Sequence, residues 1–144
     1  MSAPPTRAQT NERLSLLLSQ AGVAALVAAA TNDPARLPYL LAARFNYDVK
    51  QGGFSQLLFN MRGNLLGEIE DMLIAGNAAV AHDYYVRAVT ICLENKAEYF
   101  RFLSSNYLDS NEVKHALQLL SVEYLQRRID FADEIAVFLQ QVPT

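Results

Sequence analysis

Gly52-Gly53-Phe54-Ser55-Gln56-Leu57-Leu58-Phe59-Asn60 is the stretch on which the fold of this chain turns. Paired glycines permit positive φ and close backbone approach, so Gly52-Gly53 is the sharpest break in the chain. The residues after the glycines are patterned as a helix. Phe54, Leu58 and Phe59 can drop into a core, and Gln56 and Asn60 lie four apart on one face, where their amides reach the backbone of nearby turns. The spacing predicts a short helix over 54–59, entered through the glycine turn, and a second turn over 60–64 that contains Gly63. This is a structural, helix-entry motif before it is a ligand site.

Working outward, Leu14, Leu17, Leu18, Ala21 and Ala25 recur at helical spacing and predict one helix over 11–30, weakened at Gly22. Thr31-Asn32-Asp33-Pro34 ends it, with Asp33 as the cap and Pro34 as the first residue of the next helix. Pro38 limits the regularity of that helix, whose buried side is Leu37, Leu40, Leu41 and Phe45. Downstream, a helix over 65–74 ends near Gly76, Asn77 caps one reaching Leu93, and 96–104 makes another. Asp109 with Glu112 reads as a capping box opening a long helix over 110–140. Its apolar stripe shifts by one position near Tyr124, which implies a bend or a change of partner. No run alternates as a half-buried strand does, and no Asn-Gly or Asp-Gly hairpin turn is present. The expected fold is all-α: a compact single-domain helical bundle of about six or seven helices over 11–144, preceded by a flexible segment over 1–10.

Composition agrees. The 144 residues suit one domain, 51% are hydrophobic and 19% charged, so a core can form without disulfides or metal. The polar N-terminus carries Pro4 and Pro5 and lacks the apolar region of a signal peptide. The apolar run over 21–30 is too short to span a bilayer, so no membrane partner is expected. The lone cysteine, Cys92, fits a reducing compartment and a cytoplasmic setting. Charge is uneven. Residues 1–63 hold six basic and three acidic residues, net +3, whereas 64–113 hold three basic and eight acidic, net −5. A pI near 5.3 disfavours direct binding of nucleic acid.

Catalytic chemistry finds few residues. His82 and His115 lack the spacing of a helical metal site, so no metal or other cofactor is expected. Cys92 sits between Ile91 and Leu93 as a small buried hydrophobe. Glu70-Asp71 and Asp133-Glu134 are adjacent pairs whose side chains diverge by about 100° on a helix. Asp83 with Arg87 and Glu123 with Arg127 have the spacing of surface ion pairs. Because Tyr84 and Tyr85 are neighbours on one helix, at least one is expected near the surface, where tyrosine suits an interface.

Gly52, Gly53, Phe54, Gln56, Phe59, Asn60 and Gly63, with Leu73-Ile74-Ala75-Gly76 further on, resemble the bacterial DNA-mimic-protein-like domain family over about residues 35–140. Two positions depart from its pattern: Gln51 stands where Asn is usual, and Asn77 where Ala is usual. The resemblance implies an all-helical fold. It also implies, from the member of known role, a homodimer and an acidic protein that occupies a DNA-binding regulator. Duplex DNA carries a charge about every 1.7 Å of axis, a density this nearly balanced chain does not approach. The expected function is therefore a non-enzymatic protein-binding module that occupies a partner, in the manner of an inhibitor, antitoxin or immunity protein. A partner with a basic surface would meet the acidic segment through Glu68, Glu70, Asp71, Asp83, Glu94 and Glu98. The alternatives are DNA mimicry proper, and a small-molecule site or enzyme built on Gln56, Asn60 and His82.

Overall fold

Leu37 to Met61 forms the longest helix of the computed structural model, which describes residues 3–143. The described residues form α1 (Arg7–Leu18), α2 (Val23–Asn32), α3 (Leu37–Met61), α4 (Leu66–Ala75), α5 (Ala79–Glu94), α6 (Lys96–Ser104), α7 (Glu112–Leu125) and α8 (Phe131–Leu139), with no strand. Helix α3 buries Leu40, Leu41, Phe45, Val49, Phe54, Leu57, Leu58 and Met61 around most of its circumference, leaving Tyr47, Lys50 and Gln51 exposed, and such a helix must be largely surrounded. It is: α1, α2, α4, α7 and α8 all pack on it. Helices α5 and α6 complete the layer over α7, and α5 also packs on α4.

The Gly52-Gly53 break lies inside α3 rather than in a turn. Helical geometry runs on both sides of Gly53, which alone departs from it at φ 75°, ψ −170°. A kink strips backbone groups of their partners, and α7 replaces one of them. The Phe54 amide donates to Ser121 Oγ at 2.8 Å, and that hydroxyl donates to the Leu117 carbonyl at 2.7 Å. Ser121 is buried for this reason. The entering turn is tied down by Ser55, whose hydroxyl donates to the Gly52 carbonyl at 3.0 Å.

Five boundaries differ from the sequence expectation. The first predicted helix is two, α1 and α2, bent by 87°. Gly22 is extended there (φ −62°, ψ 152°) and opens α2 without a side-chain cap, while Arg44 Nε donates to the carbonyl of Ala21 at 3.0 Å. Asp33 closes α2 instead of capping the next helix, and α3 starts at Leu37 with Pro38 in its first turn. Asn111, not Asp109, caps α7 by accepting from Lys114 N at 3.1 Å. The long final helix is also two, because Asp130 and Asp133 form a capping box that opens α8. At the other end, α1 starts at Arg7, where Thr6 and Gln9 form a capping box of their own.

The end of α4 exchanges the expected roles of two residues. Gly76 has an ordinary φ of −82°, and Asn77 takes the left-handed conformation at φ 56°. Glycine is required at 76 for room: a Cβ there would run into the side chain of Ile135 and lie 3.1 Å from the Met72 carbonyl. Asparagine tolerates positive φ better than most residues, and Asn77 lies one residue before the N-cap of α5, Ala78, which has no polar side chain to cap with. That task falls to a residue far along the chain. Glu134, on α8, accepts from the Val80 and Ala81 amides at 2.8 and 3.1 Å, placing a carboxylate on the positive end of α5. Glu134→Ala leaves both amides bare and should lower stability by about 2 kcal/mol in urea unfolding, with Glu134→Gln losing about half as much. Equal stability of all three proteins would show that water caps α5 equally well.

Candidate interaction surface

The six acidic residues singled out by charge fall on α4, α5 and α6. Glu68, Glu70 and Asp71 are on α4, Asp83 and Glu94 on α5, and Glu98 on α6. Three of them have local side-chain partners, two of these arginines. Glu70 meets His82 Nε2 of α5 at 3.0 Å, Asp83 meets Arg87 at 2.8 Å, and Glu98 meets Arg101 at 2.6 Å. Asn111 Nδ2 also donates to the half-buried Glu98 carboxylate at 3.3 Å. Among the described residues Glu68, Asp71 and Glu94 are exposed and pair with no cation. The unpaired carboxylates of the segment thus lie on the outer face of α4 and at the end of α5, with Asp109 and Glu112 further on, before and at the start of α7. Glu123 pairs with Arg87 at 3.8 Å rather than with Arg127, its expected partner.

Exposed apolar groups occur on the same helices. Ile74, Leu93 and Phe100 are 55%, 60% and 62% exposed. The tyrosines are not part of this surface. Tyr84 and Tyr85 are both buried, contrary to the expectation for neighbours, because α5 lies between α4 and α7 and offers two inward faces. Tyr85 donates to the Leu66 carbonyl at 2.7 Å toward α4, and Tyr84 packs its ring 5.2 Å from that of Tyr124 on α7. Cys92 is buried on α5, and burial pushes its thiol up to about 12, far from the range of a nucleophile.

The Gly-Gly-Phe-x-Gln stretch has its polar groups turned inward. Asp48, one helical turn before the glycines, is fully buried. Its Oδ1 accepts from Arg44 Nη1 and from Gln56 Nε2, both at 3.1 Å, so the network spans the kink from one half of α3 to the other. Asn60 approaches the same carboxylate. Gln56 and Asn60 thus converge on an internal acid, while His82 belongs to the pair with Glu70. The remaining motif residues have evident packing roles. Phe54 is buried against Phe45 and Tyr124, with ring centres 6.2 and 5.5 Å away. Phe59 stacks near Phe102 and Tyr107 at 5.3 and 5.1 Å. Gly52 lies where a Cβ would come within 2.8 Å of Gln56 Cβ, and Gly63 sits in the turn between α3 and α4. Nothing in the sequence pattern pointed to Asp48, which reads as one more polar residue in a helix.

A family model described as DMP19-like protein matches residues 30–142, from the end of α2 through the last described turn. The chain belongs to the DMP19-like protein family. The match takes in the kinked α3 with its Asp48 network, the acidic helices and the Glu134 cap, and it omits α1. No curated protein and no solved structure matches the chain. In this DMP19-like protein the Gly52-Gly53 pair and the Gln56 and Asn60 amides serve the internal geometry of α3.

Proposed function

We propose that the chain is a non-catalytic module that occupies a basic surface on a protein partner through α4, α5 and the start of α6, and that the partner is a DNA-binding protein. The observation that carries this reading is the uncompensated, exposed set Glu68, Asp71 and Glu94 in a segment of net −5. Membership in the DMP19-like family supports a DNA-binding protein as the class of partner, since the resemblance to DNA-mimic proteins implies that the acidic surface stands in for phosphate. The unpaired carboxylates are few, so the likeness to DNA is local: a handful of contacts steering a basic groove, with Leu93 and Phe100 positioned to add apolar contact.

The test is competition. The chain is immobilised and exposed to a lysate of its native host, and the retained proteins are identified by mass spectrometry. A DNA-binding protein should be retained, and duplex DNA should displace it. With that partner in hand, Glu68→Lys with Asp71→Lys should slow association several-fold and flatten its salt dependence, because exposed charges act mainly on the encounter rate. Thermal stability should stay within about 0.5 kcal/mol of the parent, both sites being exposed. Retention that duplex DNA does not disturb would refute mimicry and favour an inhibitor or immunity role. An unchanged association rate in the double variant would place the interface elsewhere.

A further inference from the structure

The apolar spacing of Leu14, Leu17, Leu18, Ala21 and Ala25 predicts one helix, yet the chain makes two, α1 and α2, bent by 87°. The hinge between them is short. Ser19, which closes α1, is still helical at φ −61°, ψ −19°. Gly22 has a helical φ of −62°, and only its ψ, 152°, is extended. Rotation at Gly22, with Gln20 and Ala21, is all that separates the bent pair from a continuous helix. The bend is held by the bond from Arg44 Nε to the Ala21 carbonyl at 3.0 Å. In a continuous helix that carbonyl accepts from the amide four residues on instead.

Helix α1 is also lightly seated. It buries Thr10, Leu14 and Leu17, and its main packing partners are α3 and α8. Its polar ties are exposed or long: Arg7 to Asp133, Asn11 to Lys50 at 3.2 Å, and Arg13 to the Leu139 carbonyl at 3.4 Å. Thr10 Oγ1 of α1 and Asn46 Oδ1 of α3, which lies against α1, are buried with no hydrogen-bond partner. Unpaired buried oxygens weaken a seam, so this helix lifts off more readily than the others.

We propose that two copies of the chain exchange α1. In each copy α1 and α2 become one helix over 7–32. The 12 residues of α1 then project about 18 Å beyond α2, away from their own α3 and α8, and seat on those of the other copy. A second α1 is the occupant that fits the vacated seat, because it brings Leu14 and Leu17 to the same groove and Arg7 to Asp133. Every contact of α1 is remade between chains. The exchange loses association entropy and the Arg44 bond, and it gains the hinge residues as helix. Helix α2 carries no charged side chain, and its exposed Ala24, Ala25, Val27 and Ala28 give the straightened helices an uncharged face to set together. The exchanged segment precedes residues 30–142, so the pairing rests on residues that the family match does not include.

Light scattering on chromatographed protein across a range of concentrations reads the pairing. Gly22→Ala should tighten the dimer about tenfold over the parent, since alanine is the better helix former and a Cβ at 22 meets no atom within 4 Å in the bent form. Gly22→Pro should stay monomeric, because its fixed φ suits the bent form and its ring blocks a continuous helix. Cross-linking reads the exchange itself. In the Gly22→Ala background, a protein carrying Arg7→Cys is mixed with one carrying Asp133→Cys, and a short bismaleimide is added. It should join the two different chains through positions 7 and 133, which meet where α1 packs on α8; Cys92 is buried and does not compete. Both cysteines in one monomeric parent chain should link within that chain, which shows that the reagent spans the gap. A Gly22→Ala protein that is monomeric at every concentration overturns the proposal, as does a Gly22→Pro protein that dimerises as well as the parent. A dimer that yields no link between position 7 of one chain and position 133 of the other overturns the exchange.

Discussion

Replacing Gly53 by valine should lower the stability of the chain by about 3–5 kcal/mol, enough to bring the melting temperature down by roughly 10–20 °C. Two independent penalties add. At φ 75° a β-branched residue is strained by about 1–3 kcal/mol. A Cβ on Gly53 would also lie 2.6 Å from Ser121 Cβ and closer still to its hydroxyl, so α3 and α7 must separate, at about 1–3 kcal/mol more. The two parts can be divided. Gly53→Ala should be milder, and in a Ser121→Gly background it should lose only the conformational part, leaving a favourable coupling of about 1 kcal/mol or more in the double-mutant cycle. Thermal melting of the four proteins decides the matter. An unchanged melting temperature for Gly53→Val would mean that the kink is not set by glycine.

The second large effect is at Asp48. Asp48→Ala removes the partner that Arg44 and Gln56 share, and stranding a largely buried guanidinium in this way costs about 3–5 kcal/mol. Asp48→Asn keeps an acceptor at the same point and should stay within about 1.5 kcal/mol of the parent at neutral pH. The two neutral variants differ because asparagine keeps a hydrogen-bond acceptor for the guanidinium and alanine leaves it with none. The pH dependence has a definite sign. Burial raises the Asp48 carboxyl above the ordinary range, with Gln56, Arg44 and Asn60 pulling it back. A group raised in the folded state binds more protons folded than unfolded between the two pKa values. Its contribution is therefore fully present below the unfolded value, about 3.9, and is lost as pH rises through the raised folded value. Other acids titrate too, so the quantity to measure is the stability difference between the parent and Asp48→Asn across mildly acidic pH. That difference should move in the parent's favour as pH falls; a flat difference would show that Asp48 has an ordinary pKa.

These two residues also show where sequence reading succeeds and where it stops. Gly52-Gly53 announces a break because glycine is the residue that tolerates it, and the helix-forming stretches on either side are legible from spacing alone. Asp48 announces nothing, since its partners are set by a kink whose angle only the packed structure defines. The α1–α2 break was hidden for a similar reason. Gly22 is tolerable in a helix, and the bend is favoured by a bond from Arg44 to Ala21 that joins residues 23 apart. The α7–α8 break did leave a trace, the shifted stripe near Tyr124, and Asp130 with Asp133 was a cap in plain sight, masked by continuous apolar periodicity. On the surface, the Asp83–Arg87 pair is local and was legible. The contact of Glu70 with His82 joins two helices, so spacing within one helix could not show it.

The cap that Glu134 places on α5 has a consequence for how the chain is made. Val80 and Ala81 emerge from the ribosome some 54 residues before the carboxylate that completes their helix, and the Phe54 amide precedes Ser121 by 67. The pairing of Arg7 with Asp133 closes a loop of 126 residues. Such contacts come late during synthesis and cost loop entropy before they repay it. For several seconds of translation the nascent protein holds a central helix with an open kink, a helix start with bare amides and an apolar face awaiting α7 and α8. It is a cooperative unit that closes from its far end, and it is most exposed to aggregation and proteolysis just before residues 121–134 arrive.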